Sequence, residues 1–262
     1  SMLKAFFTES AQAVLHYQEN NGEGPLLILI HGLGCTGLLD YSQVAQTLAL
    51  KDRHLWLIDL LGAGQSEKPR DFPYTVDAHA QVLTELIQQR SSGPVVVYGH
   101  SLGGPIALSV AEKNPESVIG ILLSEANLDP SSQDQPSYKT AQLSEAEFCE
   151  WGYQRILDAA AKAGMTWAIS LATWLPQAMH RLSADAVLGG KPSWRQRLYA
   201  LKCPKRFLFG EKSLPDPDTE ELSRQRIEVQ ILHEVGHNMA YEDPDQLAQA
   251  LADFITKIQR PQ

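Results

Sequence analysis

Five short runs of apolar residues recur along the chain, and each has the composition of a strand that is buried on both faces. The runs are Leu26–Ile30, Arg53–Asp59, Pro94–Gly99, Val118–Ser124 and Lys205–Gly210. The segments with helical spacing that alternate with them are Tyr41–Leu50, Val76–Gln89, Leu102–Lys113 and, at the C-terminus, Asp245–Ile258. Strands alternating with helices predict an α/β fold, with a mostly parallel central sheet covered by helices on both faces. Two further short strands are predicted at residues 2–8 and 13–19.

One long segment breaks this alternation. From about Asp134 to Leu201 the sequence has helical spacing and no convincing strand, and proline and glycine residues interrupt it. Three of the five tryptophans lie within its helical stretches. We therefore predict a helical cap, or lid, at residues 130–201, inserted into a core domain made of residues 1–129 and 202–262.

The charge balance argues against nucleic acid and anionic membranes as partners. The 262 residues include 22 Lys and Arg against 31 Asp and Glu, for a net charge of −9, and no basic run concentrates positive potential. No apolar run approaches the ~20 residues of a membrane-spanning helix, and the N-terminal apolar stretch is too short for a signal peptide. Three widely spaced cysteines without a pairing pattern fit a reducing compartment. We expect a cytoplasmic protein that acts on a small molecule.

A serine lies directly between a predicted buried strand and a predicted helix. Ser101 is the centre of GHSLG, residues 99–103, which has the G-x-S-x-G spacing. In that pattern a sharp turn strains the serine backbone, and glycines on both sides leave room for strand and helix. The turn holds Ser101 at the C-terminal edge of the sheet, beside the positive end of the helix dipole. We predict Ser101 as a nucleophile; an ordinary strand-to-helix turn is the alternative.

A serine hydroxyl needs a base at neutral pH, and the chain has eight histidines. His237 follows the apolar strand VQIL and precedes the last helix, so it emerges at the same sheet edge as Ser101. The neighbouring Gly236 makes that loop flexible enough to aim the ring. We predict His237 as the general base, with His233 as the fallback.

The stretch HGLG, residues 31–34, follows the central apolar strand. Its glycines let the backbone turn N–H groups toward the serine, so we predict the N–H groups of Leu33 and Leu102 as an oxyanion hole. His31 is predicted to be a structural histidine bonded to neighbouring backbone. The sequence has neither a metal-ligand spacing nor a glycine-rich phosphate cradle, so we expect no metal and no organic cofactor.

Four stretches, HGLG, DLLGAGQSEKP, GHSLGG and GHNMAYEDP, in that order and at those separations, resemble the α/β-hydrolase fold family. The helical insertion resembles that family's cap domain, and the resemblance covers essentially the whole chain. It implies a catalytic triad in the chain order Ser, acid, His, acting through an acyl-enzyme. Haloalkane dehalogenases and related epoxide hydrolases use an Asp nucleophile, so the serine at position 101 sets their chemistry aside.

The resemblance places the acid of most relatives after the strand that follows the cap, where this chain has Ser213. In some branches the acid stands at the end of the strand before the cap, and Glu125, in GILLSEAN, occupies that place. A carboxylate at the end of a buried strand needs a partner, because an unpaired buried charge costs several kcal/mol. We predict Glu125 as the triad acid and Asp216 as the alternative, with Asp218 and Asp129 as weaker rivals.

These residues and the resemblance together predict a serine hydrolase that cleaves a small ester, thioester or lactone. The aromatic and aliphatic residues of the insertion favour a pocket for an apolar acyl or ring group. A hydrolase of carbon–carbon bonds in β-diketone-like substrates is one alternative, because it uses the same fold and similar residues. A ligand-binding receptor with little turnover is the alternative outside the enzymes.

Overall fold

An eight-stranded sheet runs through the computed structural model, which describes residues 1–260. The strands are β1 (Met2–Thr8), β2 (Ala13–Asn20), β3 (Glu23–Ile30), β4 (Arg53–Asp59), β5 (Val95–His100), β6 (Val118–Ser124), β7 (Lys205–Gly210) and β8 (Glu228–Leu232). Their spatial order is β1-β2-β4-β3-β5-β6-β7-β8. Strand β2 pairs antiparallel with β1 and β4, and the other neighbours are parallel. The predicted α/β class with a mostly parallel sheet is confirmed.

The strand order changes direction at β3. Strand β3 lies between β4 and β5, so the chain adds β4 on one side of β3 and β5 on the other. Ligands of parallel α/β sheets bind at such a switch point, outside the C-terminal ends of the strands. Ile30, at the end of β3, pairs with Gly99 of β5. The segment after β3 and the turn after β5 therefore meet at this edge.

Helices connect the strands and cover the sheet. They are α1 (Gly37–Asp40), α2 (Ser42–Ala45), α3 (Val76–Arg90), α4 (Gly103–Lys113), α5 (Pro136–Gln142), α6 (Glu145–Glu147), α7 (Tyr153–Lys162), α8 (Trp167–Leu171), α9 (Pro176–Leu188), α10 (Trp194–Ala200), α11 (Asp218–Arg224), α12 (Met239–Glu242) and α13 (Pro244–Gln259). A π-helical turn spans Phe148–Gly152 and a 3₁₀ turn spans Glu211–Ser213. No helix in residues 1–260 combines the length and the apolarity that a bilayer crossing requires.

The two faces of β3 bury alternate side chains. Leu26, Ile28 and Ile30 belong to an apolar core that includes buried residues of α3 and α4. Leu27 and Leu29 belong to a second core, which includes buried residues of α2 and α13. Because both faces are covered, every position from 26 to 30 must be apolar, and this explains the continuous run in the sequence.

The single helix predicted over Tyr41–Leu50 is wrong. Within that range the structure has one four-residue helix, α2 (Ser42–Ala45), followed by hydrogen-bonded turns up to Leu50, and α1 ends just before it. Tyr41 separates the two helices with φ −109° and ψ 4°, which is not helical. Thr47 donates its hydroxyl to the Val44 carbonyl at 2.8 Å, a local bond that competes with continuation of a helix.

Helices α5 to α10 lie between β6 and β7, and residues 125–204 contain no strand. The chain leaves the sheet after β6 and returns to it at β7, the neighbouring strand. Arg195, near the end of the helical segment, contacts residues near its start. Its guanidinium binds the Asp129 carboxylate at 2.7 Å and the Asp218 carboxylate at 2.9 Å. Its backbone N–H donates to the Leu128 carbonyl at 3.0 Å. The two ends of this helical segment are therefore held side by side.

Candidate active site

Ser101 occupies the tight turn between β5 and α4. Its φ of +54° lies in the left-handed region, which costs a residue with a Cβ about 1–2 kcal/mol. A Cβ at Gly99 would lie 2.3 Å from the Gly103 carbonyl oxygen, and a Cβ at Gly103 would lie 2.4 Å from the Ile30 carbonyl oxygen. The two glycines are therefore required for β5, α4 and β3 to pack around the strained serine.

His237, on the loop between β8 and α12, contacts the acid predicted from the sequence. Its Nδ1 lies 2.8 Å from Oε1 of Glu125, the residue that follows β6. An ionised carboxylate only accepts hydrogen bonds, so Nδ1–H is the donor. The neutral ring then has Nε2 free to accept a proton, which is the tautomer that a general base needs. Ser101, His237 and Glu125 all line one cavity.

Glu125 is itself held by two further donors. The Gly210 N–H donates to its Oε2 at 2.7 Å, and the Ser213 hydroxyl donates to its Oε1 at 2.9 Å. Burial alone raises the pKa of this carboxyl, but the hydrogen bonds from His237, Gly210 and Ser213 outweigh burial and hold the pKa below its ordinary 4.5. The Glu125 φ is +39°, so backbone strain is present at the acid as well as at the serine.

Sequence reasoning missed the role of Ser213. It noted only that a serine stands where most relatives have the acid. The structure places this hydroxyl on the carboxylate that follows β6, 88 positions earlier in the chain. The adjacency of β6 and β7 would have indicated this contact. The two strands are parallel neighbours, so the residues that follow them emerge at the same edge of the sheet.

The other predicted acids lie elsewhere. Asp216 accepts the Asp218 N–H at 2.8 Å, which forms an Asx turn at the start of α11. Asp129 and Asp218 both bind Arg195. No hydrogen bond joins any of these three carboxylates to His237 in residues 1–260.

The fallback base is also placed away from the serine. His233 pairs with Glu211 at 3.1 Å, its side chain is 75% exposed, and it does not line the cavity. His31 is fully buried and bonds to backbone at both nitrogens, with the Gly32 carbonyl at 2.9 Å and the Leu60 N–H at 3.0 Å. The structural role predicted for His31 agrees with these contacts.

The cavity at the switch point has a volume of about 370 Å³. Its lining residues come from both sides of the site. The core contributes Gly32, Leu33, Cys35, His100, Ser101, Leu102, Glu125, Asn127, His237 and Asn238, and the helical segment and its approach contribute Asp134, Gln135, Pro136, Ser137, Met165 and Trp167. This space suits a small molecule. Within residues 1–260, no three His, Cys, Asp or Glu side chains gather as a metal ion requires.

The residues predicted for the oxyanion hole both line this cavity. Leu33 follows Gly32, where an added Cβ would lie 3.0 Å from the His100 carbonyl oxygen and 3.3 Å from the Leu102 nitrogen. The loop after β3 therefore packs directly against the turn that carries Ser101. Leu102 precedes the first residue of α4, so its N–H belongs to the positive end of that helix.

His100 is a second functional-site residue that sequence reasoning did not single out. Its ring centroid lies 4.6 Å from that of His237. Its Nδ1 is hydrogen-bonded to the Ser124 hydroxyl at 2.6 Å, and that hydroxyl is in turn 2.6 Å from the Tyr98 hydroxyl. Burial, followed by the neighbouring His237, lowers the pKa of His100 to about 3. A ring that stays neutral therefore packs beside His237.

Known proteins resemble this chain over different extents. Lipase LipV of Mycobacterium tuberculosis (strain ATCC 25618 / H37Rv) is 36% identical over 120 residues, which are 45% of this chain and 42% of that protein. The match therefore spans less than half of the relative's own length. A thermophilic esterase from Thermogutta terrifontis superimposes with a TM-score of 0.78 at 18% identity, covering 99% of this chain and 100% of the esterase. A serine-to-glycine mutant of the N-acyl homoserine lactonase AidH complexed with N-hexanoyl homoserine lactone superimposes with a TM-score of 0.80 at 20% identity, covering 100% of both chains.

The model of the alpha/beta hydrolase fold matches residues 25–206. This range begins at the apolar strand β3, contains the turn at Ser101 and Glu125, and ends in β7. The matched residues are more than half of the chain, and the sheet order and helical layers agree with the same fold. The chain belongs to the α/β-hydrolase fold family.

Proposed function

We propose that the protein is a serine hydrolase that cleaves a small ester, thioester or lactone through an acyl-enzyme. The observation that carries this proposal is the 2.8 Å hydrogen bond between His237 Nδ1 and Glu125, in a cavity also lined by the strained Ser101. A binding protein needs neither an oriented imidazole nor a serine forced to positive φ.

In the proposed reaction, the Ser101 hydroxyl oxygen attacks the substrate carbonyl carbon while Nε2 of His237 takes the hydroxyl proton. The ring becomes a cation, and the adjacent carboxylate of Glu125 stabilises it. Glu125 stays ionised through this step because three donors hold its pKa low. The proton then passes from His237 to the leaving oxygen or sulfur.

The tetrahedral intermediate carries a negative charge on the former carbonyl oxygen. The backbone N–H groups of Leu33 and Leu102 are the proposed donors to it. They come from two elements packed together, the loop after β3 and the start of α4, so no rearrangement is needed as the charge develops. Water activated by His237 then attacks the acyl carbon and releases the acid and Ser101.

We further propose that residues 130–201 act as a cap over this cavity. Their Met165 and Trp167 supply apolar surface, while Asp134, Gln135 and Ser137 supply polar groups at the same cavity. A volume of about 370 Å³ accommodates a short acyl chain or a lactone ring. The fold shared with the lactonase AidH, whose complex contains N-hexanoyl homoserine lactone, makes lactones a reasonable class to test.

The first experiment measures covalent labelling by a fluorophosphonate, using intact mass on wild type, Ser101→Ala and Ser92→Ala. Ser92 is an exposed serine on another loop and serves as the matched control. We expect one adduct on wild type and on Ser92→Ala, and none on Ser101→Ala. An adduct that persists on Ser101→Ala would contradict the proposed nucleophile.

The substrate class is tested by steady-state hydrolysis of p-nitrophenyl esters of increasing acyl length, of γ- and δ-lactones, and of a β-diketone. We expect turnover of the esters or lactones that Ser101→Ala abolishes. Turnover of the β-diketone alone would identify a carbon–carbon hydrolase. Ligand binding by calorimetry without turnover of any of these compounds would favour a receptor.

A further inference from the structure

The loop after β3 receives side-chain hydrogen bonds from the helical segment. The Trp167 indole N–H donates to the Leu33 carbonyl at 3.1 Å, and the Trp174 indole N–H donates to the Cys35 carbonyl at 2.7 Å. The Ser170 hydroxyl lies 3.1 Å from the Thr36 hydroxyl. Three contacts from one short stretch, residues 167–174, therefore hold three residues of the loop, Leu33, Cys35 and Thr36.

Trp167 also packs directly on the backbone of the loop. Gly34 has a φ of +75°, and a Cβ there would lie 2.6 Å from the indole Nε1 and Cζ2 of Trp167. The ring therefore occupies the space that any side chain at position 34 would take. The backbone conformation of the loop, with the indole packed against it, therefore requires glycine at position 34.

The contact to Leu33 differs from the other two in its partner. Leu33 carries the N–H proposed as an oxyanion donor, and Trp167 binds the carbonyl of that same residue. An oxyanion donor contributes most when its direction is fixed before the charge develops. A bond to the Leu33 carbonyl fixes the peptide plane on one side of the residue, while the packing of Gly32 on the turn at Ser101 fixes the plane on the other side.

We propose that Trp167 is a positioning residue that sets the Leu33 N–H for catalysis, so that the oxyanion hole is complete only when α8 lies on the core. This inference rests on the proposed serine hydrolase function. It makes the helical segment part of the machinery that stabilises the intermediate, in addition to being a wall of the cavity. Substrate recognition alone does not require an indole N–H directed at a backbone carbonyl.

The test compares steady-state kinetics of wild type and Trp167→Phe, which keeps an aromatic ring and removes the donor. We expect kcat to fall roughly tenfold, by analogy with the loss of one donor interaction near an oxyanion, with KM within about twofold of wild type. A trifluoromethyl ketone analogue of the ester or lactone that wild type cleaves forms a tetrahedral adduct, which resembles the intermediate. The Ki of this ketone should therefore rise by the same factor as kcat falls.

Two tryptophan variants serve as controls. Trp174→Phe removes the other indole bond to the loop, whose partner is Cys35, and should lower the melting temperature with kcat within about threefold of wild type. Trp151 is 37% exposed, stacks on Arg155 and lies in the same helical segment, so Trp151→Phe should match wild type in every measurement. If Trp167→Phe does not fold, 3-benzothienylalanine at position 167 replaces the indole N–H by sulfur with the ring shape unchanged.

The inference is overturned if removal of the Trp167 donor leaves kcat and the ketone Ki unchanged, or if only KM rises, since the ring would then be a substrate contact. It is also overturned if Trp174→Phe lowers kcat as much as Trp167→Phe does. Failure of the proposed function has a different signature, because wild type itself would then show neither an adduct on Ser101 nor turnover.

Discussion

The Ser213 hydroxyl donates a 2.9 Å hydrogen bond to Oε1 of Glu125, the same oxygen that accepts from His237 Nδ1. One carboxylate oxygen therefore receives the imidazole and the hydroxyl together, while the other receives the Gly210 N–H. With three donors around it, the carboxylate is fixed in direction and in charge. A base that depends on this carboxylate is therefore oriented by Glu125, which follows β6, and by Gly210 and Ser213, at and just after the end of β7.

Replacement of Glu125 by glutamine should show that this carboxylate is the acid. Glutamine keeps the size of the side chain but removes the negative charge that stabilises the imidazolium. We expect Glu125→Gln to lower kcat by roughly 10²- to 10⁴-fold. Asp216→Asn is the matched control, because Asp216 bonds within its own turn and is not joined to His237 in residues 1–260, and its kcat should change less than about threefold. The reverse ranking in a steady-state assay would move the acid to the loop after β7.

Removal of the Ser213 hydroxyl should destabilise the protein in a pH-dependent way. A hydrogen bond to a charged group contributes about 1.5–3 kcal/mol, and Glu125 keeps two other donors, so Ser213→Ala should lower the free energy of unfolding by about 1–2 kcal/mol at pH 7. The pKa of Glu125 is lowered in the folded protein, so its stabilisation is present above the ordinary value of 4.5 and is lost as pH falls through the lowered value. The free energies of unfolding of wild type and Ser213→Ala, measured by urea titration, should therefore become equal at low pH.

Ser213→Thr keeps a hydroxyl at the same position and serves as the control for this pH dependence. It should lie closer to wild type than Ser213→Ala does at pH 7. An Ala variant whose deficit stays constant from pH 7 to below pH 4 would mean that Ser213 acts through packing and not through the charge of Glu125.

His100 should stay uncharged throughout the neutral range. Its pKa is lowered to about 3, first by burial and then by the neighbouring His237. In the unfolded chain the ring regains its ordinary value of 6.5, so unfolding takes up a proton between about pH 3 and 6.5, and this group makes stability rise with pH across that window. In proton NMR, assigned by comparison with His100→Gln, the C2–H signal should not shift between pH 5 and 8.

The charge of the cavity should discriminate between substrates. The charged side chains in its lining, apart from the histidines, are Glu125 and Asp134, and no Lys or Arg within residues 1–260 lines it. A p-nitrophenyl ester with a free carboxylate on its acyl chain should therefore have a kcat/KM roughly tenfold lower than the uncharged ester of equal length. Added salt should reduce the difference in kcat/KM between the two esters, since it screens exposed charges.

Asp134→Asn should recover part of the rate on the anionic ester and leave the uncharged ester unaffected. Asp158→Asn changes an exposed carboxylate on α7 that does not line the cavity, and it should leave both rates alone. Equal rates on the two esters in wild type would show that the cavity does not sense substrate charge.

The sequence predicted the sheet and the edge of it at which Ser101, Glu125 and His237 emerge, because these follow from local pattern. A continuous apolar run marks a doubly covered parallel strand, and the residue that follows such a strand must emerge at a common edge. Ser101, Glu125 and His237 were all located by that rule. The G-x-S-x-G spacing further predicted the strain now visible in the φ of Ser101.

What the sequence did not predict are relations between residues far apart in the chain. The bond from Ser213 to Glu125 and the packing of His100 on His237 depend on how loops from different strands approach one another, which no local pattern encodes. The helix predicted over Tyr41–Leu50 failed for a local reason. Its apolar spacing is present, but α2 ends at Ala45, and the Thr47 hydroxyl donates to the Val44 carbonyl in a local bond that competes with continuation of a helix.

Arg195 has a consequence for how this chain can diversify. By binding the Asp129 carboxylate and donating its backbone N–H to the Leu128 carbonyl, it holds together the two ends of the stretch formed by residues 130–194. A loop whose two ends are already adjacent can be lengthened, shortened or exchanged with little added cost of closing it. The stretch between Asp129 and Arg195 is therefore a natural unit for recombination, in which new specificities can be combined with an unchanged set of proposed nucleophile, base and acid.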